Sequence, residues 1–198
     1  MAVQEREDKL AGARQQGQAQ FESIWEMVAV LRQASDDDYY QDTAEELARD
    51  AGYTLAEDPD QERMWLWRAK DGCGSDISYG DEDEAWLAAC DDNSLRPGED
   101  EAREAISEDP LSVQVRSGWH DPGAEGEAEE FEILLCTGGP ACRLIGTLDQ
   151  GQPSDVRIEV QDWFTPWVDY MPVDQEGKVI SGWRDVLLEY ARQFYFGD

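Results

Sequence analysis

The stretch FEILLCTGGPACRLIGTL (Phe131–Leu148) decides the fold class. Two runs of strand-forming residues, Phe131–Cys136 and Ala141–Leu148, are separated by Gly138-Gly139-Pro140, a turn composition, so the segment reads as a β-hairpin. Working outward, Leu111–Arg116 and Val156–Asp162 have the same texture, and Gly151-Gln152-Pro153 supplies the turn into the latter. The chain closes on a predicted amphipathic helix, Trp183–Phe196, with Val186, Leu187, Tyr190, Ala191 and Phe194 on its apolar side. Residues 98–198 are therefore expected to form an antiparallel sheet of about four strands covered by a C-terminal helix.

Residues 1–97 read differently. Phe21, Ile24, Trp25, Val28 and Leu31 recur at spacings of three and four within a predicted helix from Glu5 to Gln33. The Gln-rich part before Phe21 is weakly amphipathic and is expected to be a frayed or mobile arm. A second helix near Thr43–Asp50 ends at Gly52, a natural stop. Tyr53–Leu55 and Met64–Arg68 predict a small hairpin around Glu57-Asp58-Pro59-Asp60, followed by a short helix at Asp81–Cys90. After a linker at Asp91–Gly98, another acidic helix spans Glu99–Glu108 and stops at Asp109-Pro110. The expected fold class is α+β, with N-terminal helices and a hairpin/helix unit in residues 1–97 and an α+β domain in residues 98–198.

Charge decides which functions remain open. Among 198 residues, 46 are Asp or Glu and 16 are Lys or Arg, for a net charge of −30. Such a chain lacks the basic footprint needed to bind nucleic acid directly, and an anionic membrane would repel it. No apolar run reaches the ~18 residues of a membrane span, and MAVQEREDKL is not a signal peptide, so a cytoplasmic location is expected. The acidity does not predict disorder, because 40% of residues are apolar and there are 8 Trp, 7 Tyr and 5 Phe. Residues 1–97 carry 24 acids and 9 bases, and residues 98–198 carry 22 and 7, so each part holds −15. The charge belongs to a folded surface, unlike an acidic tail.

Catalytic patterns are absent. The single histidine, His120, stands beside Asp121-Pro122-Gly123 without a nucleophile motif and reads as a loop residue. Cys73, Cys90, Cys136 and Cys142 include no C-x-x-C pair and read as thiols. Asp36-Asp37-Asp38 with Asp42 fails as a calcium loop, because Gln41 and Leu47 stand where Gly and Glu are required. Thr137-Gly138-Gly139-Pro140 lacks the Gly-Lys-Ser/Thr of a phosphate loop. Trp163, Trp167 and Tyr170 would suit a sugar platform, but aromatics at this density more often cover one end of a sheet. The expectation is a protein without catalytic residues, metal or cofactor.

Thirty charges match roughly 15 base pairs of duplex DNA, about 50 Å at one charge per ~1.7 Å. A compact domain of this length is about 40 Å across. Carboxylates accept the Arg and Lys donors that phosphates accept, so the surface suits a protein built to hold DNA. The predicted partner-binding surface is the segment 81–109, with Asp81, Glu82, Asp83, Glu84, Asp91, Asp92, Glu99, Asp100, Glu101, Glu104, Glu108 and Asp109 opposed only by Arg96 and Arg103. A second patch comprises Asp36, Asp37, Asp38, Asp42, Glu45 and Glu46. Each has a plainer reading as a solvated acidic face. Salt adaptation is a third explanation, since only Lys9, Lys70 and Lys178 are lysines.

The motifs DPLSVQVRSGW (Asp109–Trp119), EILLCTGGPACRLIG (Glu132–Gly146), QDWFTPW (Gln161–Trp167) and YARQFYFG (Tyr190–Gly197) resemble a family of acidic, largely uncharacterised proteins of bacterial mobile elements and phages. The resemblance covers roughly residues 98–198 and carries no catalytic residues. It implies a setting in which acidic proteins block host restriction enzymes or CRISPR complexes. The resulting expectation is a DNA-mimic, anti-CRISPR or anti-restriction inhibitor acting on a basic nucleic-acid-binding protein of the bacterial host. The alternative is a non-mimic interaction module or accessory factor for a basic partner. A homodimer through the Phe21–Leu31 stripe is compatible with the sequence, and core packing explains the stripe equally well.

Overall fold

The structure, a computed structural model, describes residues 2–119, 121 and 126–197, with side chains from Leu10 onward. It is α+β, as expected. Among the described residues, five helices and seven strands follow the order α1 (Ala2–Ser35), α2 (Asp37–Ala51), β1 (Thr54–Glu57), β2 (Trp65–Arg68), α3 (Glu82–Asp92), α4 (Glu99–Glu108), β3 (Ser112–Ser117), β4 (Ala128–Cys136), β5 (Ala141–Asp149), β6 (Gln152–Gln161), β7 (Val168–Tyr170) and α5 (Trp183–Ala191). They form two compact units: Met1–Val28 with Arg103–Asp198, and Ala29–Ala102. A cut at Pro97 divides the chain differently, because the first 28 residues group with the later part of the chain. Among the described residues, no helix is long and apolar enough to cross a membrane.

The first unit is built on a five-stranded antiparallel sheet in sequential order, β3-β4-β5-β6-β7. Alternation sorts its side chains. Phe131, Ile133, Leu135, Cys142, Leu144, Val156, Ile158 and Val160 are buried on one face. Each fully buried aliphatic or Phe side chain contributes about 1.5–3 kcal/mol. The α5 residues Val186, Leu187 and Tyr190 are buried within the same unit, and Phe196 stacks on Phe131 at 4.9 Å.

The N-terminal part of α1 corrects an expectation. Residues before Phe21, read as a frayed arm, are helical from Ala2, and Leu10, Ala13 and Gly17 are buried. A Cβ on Gly17 would lie 2.6 Å from a Val160 methyl, so the helix backbone lies directly on the sheet. Small residues make this contact, which is why a search for large apolar side chains overlooks it. Phe21, Ile24, Val28 and Leu31 are core residues within the chain, so core packing accounts for the stripe that was also compatible with a dimer. Trp25 does not belong to that core and is 41% exposed.

Two other boundaries differ. Strand β7 has three residues, too short to show alternation in a segment interrupted by Pro166. Helix α5 ends at Ala191, where Gln193 and Phe194 amides turn back to the carbonyls of Tyr190 and Ala191 in tighter i→i−3 bonds. Strand β3 is an edge strand whose Val113 and Val115, paired with Ile133 and Phe131, remain exposed.

The second unit packs α2 and α3 against the β1–β2 hairpin. Its core contains Tyr40, Ala44, Ala48, Trp67, Trp86, Ala89 and Cys90. Alanines on both helices allow close approach, and the Cys90 thiol reaches the Ala44 carbonyl at 3.3 Å. Gly52 ends α2 in the left-handed region at φ 94°, donating to the Ala48 and Arg49 carbonyls.

Candidate protein-interaction site

Carboxylates start both helices of the second unit. Asp36 caps α2 by accepting from the Tyr39 amide at 3.1 Å, and Asp81 caps α3 by accepting from the Glu84 amide at 2.8 Å. Asp37 and Asp38 follow in the first turn of α2, and Glu82, Asp83 and Glu84 in that of α3, where the helix dipole favours negative charge. Local helix chemistry thus accounts for part of the acidity at these positions.

The packing of α2 on α3 brings the two sequence patches together. Asp42 and Glu45 from α2 and Asp83 from α3 line one depression of about 260 Å³, with Trp86 and Leu87 in its wall. Asp38, Asp42, Glu46, Glu82, Asp83 and Asp92 are all exposed. Other members of the patches are tied into the fold. Asp37 pairs with Arg96 at 2.7 Å, and Glu45 pairs with Arg49 at 2.7 Å. Arg49 also lies 5.0 Å over the Trp86 ring. Glu84 accepts from the Gly80 amide, and Asp91 accepts from the Tyr40 hydroxyl at 2.7 Å. Burial, and then Asp91, push the Tyr40 hydroxyl well above its ordinary range, so it remains a donor.

The segment 81–109 is divided between the units. Glu99, Asp100 and Glu101 belong to the second unit, and Glu104, Glu108 and Asp109 to the first. Glu99, Asp100, Glu101, Glu104 and Glu108 are exposed on α4. Asp109 has a structural role, accepting from the hydroxyl of the buried Tyr190 at 2.6 Å. The second unit carries 22 acids and 6 bases over residues 29–102, a net of −16, whereas the first carries 24 and 10, a net of −14, in 124 residues. The smaller unit is the more densely charged.

The outer face of the five-stranded sheet has a different electrostatic character. Arg143 on β5 pairs with Glu132 on β4 and with Glu159 on β6, the latter at 2.7 Å. Glu159 is the buried charged residue of this network at 8% exposure, and Arg157 reaches it at 3.1 Å and Asp169 at 3.4 Å. Arg116 pairs with Glu130 at the β3 side. Arg143 also stacks 4.2 Å over the Trp167 ring. These acids are matched by arginine and occupied.

Two exposed aromatic features escaped the sequence reading. Trp25 stands beside the Phe21–Leu31 stripe and borders a groove in the first unit. Its spacing fits the helix period closely enough to pass as core, and the 21/24/28/31 rhythm that omits it is the signal that separates it. The other is the β6–β7 connection, expected to cover one end of the sheet. Trp163 and Phe164 instead project into solvent, Phe164 at φ 62°. Thr165 holds this turn by accepting from the Asp162 amide and donating to its carbonyl. Gly139 provides the seat, since a Cβ there would collide with the Trp163 indole.

Other sequence candidates are placed as follows. His120 lies outside the described residues. Cys73, Cys90, Cys136 and Cys142 are free thiols, with Cys136 and Cys142 directly opposed in register across the hairpin. Among the described residues, no three His, Cys, Asp or Glu side chains come together as a metal site. No family model, curated protein or solved structure matches the chain.

Proposed function

We propose that this protein is an acidic DNA mimic that occupies the DNA-binding surface of a host defence protein, a CRISPR surveillance complex or restriction enzyme, in the bacterial cytoplasm. The observation that carries the reading is the merging of the two acidic patches on the α2–α3 face, in a unit holding −16 over 74 residues. Exposed carboxylates such as Asp38, Asp42, Glu46 and Asp83 accept the same Arg and Lys donors as phosphates. Inhibition is stoichiometric, without turnover. The resemblance of the later motifs to mobile-element proteins supports the same setting.

The test is competition. A restriction enzyme or CRISPR complex is incubated with the protein, and labelled target duplex is added at several salt concentrations. Duplex and protein are expected to exclude each other, with tighter protein binding as salt falls. Simultaneous binding of both would overturn mimicry. The protein is also expected to stay folded in low-salt buffer, where a salt-adapted protein would unfold.

A second reading, a non-mimic module for a basic partner, draws support from Trp163 and Phe164. An exposed aromatic pair has no counterpart on a duplex backbone and resembles the anchors that dominate protein interfaces. A partner that binds the protein and DNA at once, and loses the protein when Phe164 is replaced by Ala, would favour this reading.

A further inference from the structure

Within the first unit, helix α1 and the segment 173–180 enclose an open groove of about 430 Å³. Its apolar surface comes from Trp25, Val173 and Ile180 with Phe21 packed behind, and Glu22 and Glu26 stand along it, while Asp174 turns a carboxylate oxygen to the Glu176 and Lys178 amides. Gln18 builds the wall. Its amide oxygen accepts from the Tyr170 hydroxyl at 2.8 Å and the Val173 amide at 3.0 Å, while its nitrogen donates to the Val173 carbonyl at 2.9 Å and to Glu22 at 2.8 Å. Phe21 supports the Trp25 ring at 5.8 Å in a tilted arrangement. The groove is therefore held in shape before any partner arrives.

We propose that this groove receives an arginine side chain of a protein partner. The Glu22 and Glu26 carboxylates along an apolar floor exclude anions and offer little to a neutral apolar group, whereas a cation with an aliphatic stem satisfies both surfaces. The exposed Trp25 face favours arginine over lysine, because a guanidinium is planar, weakly hydrated and stacks on aromatic rings. Glu22 and Glu26 lie one helical turn apart on α1, a spacing that places both beside the same cation. The proposal goes beyond DNA mimicry, since it holds for any basic protein partner.

The test uses the full chain alone, so its outcome is separate from that of the DNA competition. The ¹⁵N-labelled protein is titrated with N-acetyl-arginine amide, and with N-acetyl-citrulline amide as the uncharged isostere. The Trp25 indole signal is assigned by its loss in Trp25→Phe. The expected result is a saturable shift of the Trp25 indole and the amides of residues 173–175, with citrulline binding weaker by about fivefold or more. Glu22→Gln combined with Glu26→Gln is expected to weaken the arginine response by a similar factor, with the spectrum of the free protein otherwise retained. A Trp25 response no larger than that of the exposed Trp119 and Trp163 indoles, or one equal for arginine and citrulline, would overturn the proposal. If the double variant loses its dispersed spectrum, the wild-type comparison of the two probes and three indoles still decides.

Discussion

The α2–α3 face of the smaller unit and the outer face of the five-stranded sheet are both rich in carboxylates, but they use them in opposite ways. On the sheet, Glu132, Glu159, Glu130 and Asp169 are each met by Arg143, Arg157 or Arg116, and Glu159 is buried. On the helices, acids outnumber their arginine partners, and Asp38, Asp42, Glu46 and Asp83 stand exposed. The count of acids alone does not separate the two surfaces. The placement of only a few arginines does, and it separates carboxylates consumed by folding from carboxylates left facing solvent.

The sharpest way to break this comparison is to unbalance the sheet. Arg143→Ala takes the shared cation away from Glu132 and from the buried Glu159, which keeps Arg157, and is expected to cost about 2–3 kcal/mol in urea unfolding. A loss below about 1 kcal/mol would mean that the network is ornamental. On the helical face, Asp42→Lys with Glu46→Lys and Asp83→Lys should weaken partner binding about 100-fold while circular dichroism and melting change little. Retained binding would move the interaction to α4, where Glu99→Lys, Asp100→Lys, Glu101→Lys and Glu104→Lys form the next variant.

Smaller effects probe the hydroxyls that tie acids into each core. Tyr190→Phe removes the bond to Asp109 and is expected to cost about 1.5–2 kcal/mol, measured by denaturant titration. The same variant tests a pH dependence. Burial, followed by Asp109, raises the Tyr190 hydroxyl above its ordinary value, as burial raises the Cys142 thiol. A folded value above the unfolded one gives stability that is complete below the unfolded range, near ~9–10, and is lost as pH rises beyond it. The wild type is expected to lose stability above about pH 10, and Tyr190→Phe to lose less over the same interval. The smallest change is Arg49→Ala, which deletes an exposed i,i+4 pair with Glu45 and a stack on Trp86. It should lower stability by about 0.5–1 kcal/mol, and the Glu45 part of that loss should fade with added salt.

Much of this architecture was legible in the chain. The hairpin around Gly138-Gly139-Pro140 follows from two strand-like runs and a turn, and α4 from an acidic first turn and a proline stop. Those signals are local. The burial of Gly17 against Val160 was not legible, because a glycine shows no apolar periodicity and its contact spans more than a hundred residues. The acidic patches were visible as composition, but their meeting at Asp42, Glu45 and Asp83 depends on alanine-mediated packing of α2 on α3. Trp25 carried the right spacing for the core and the wrong side of it. Phe164 required a positive φ that no neighbouring glycine announces.

The edge strand β3 places a limit on conditions. Its sequence, SVQVRS, contains no acid, its outer edge pairs with no strand among the described residues, and Val113 and Val115 are exposed beside it. Such an edge is a template for pairing with another copy, blunted here only at its end by Arg116 and the register shift between Arg116 and Ser117. Long-range repulsion between molecules of charge −30 is then the safeguard, and it weakens as the screening length falls from about 10 Å at 0.1 M salt to about 3 Å at 1 M. Concentrated salt is therefore expected to favour strand-on-strand association at this edge, and dilute buffer to oppose it.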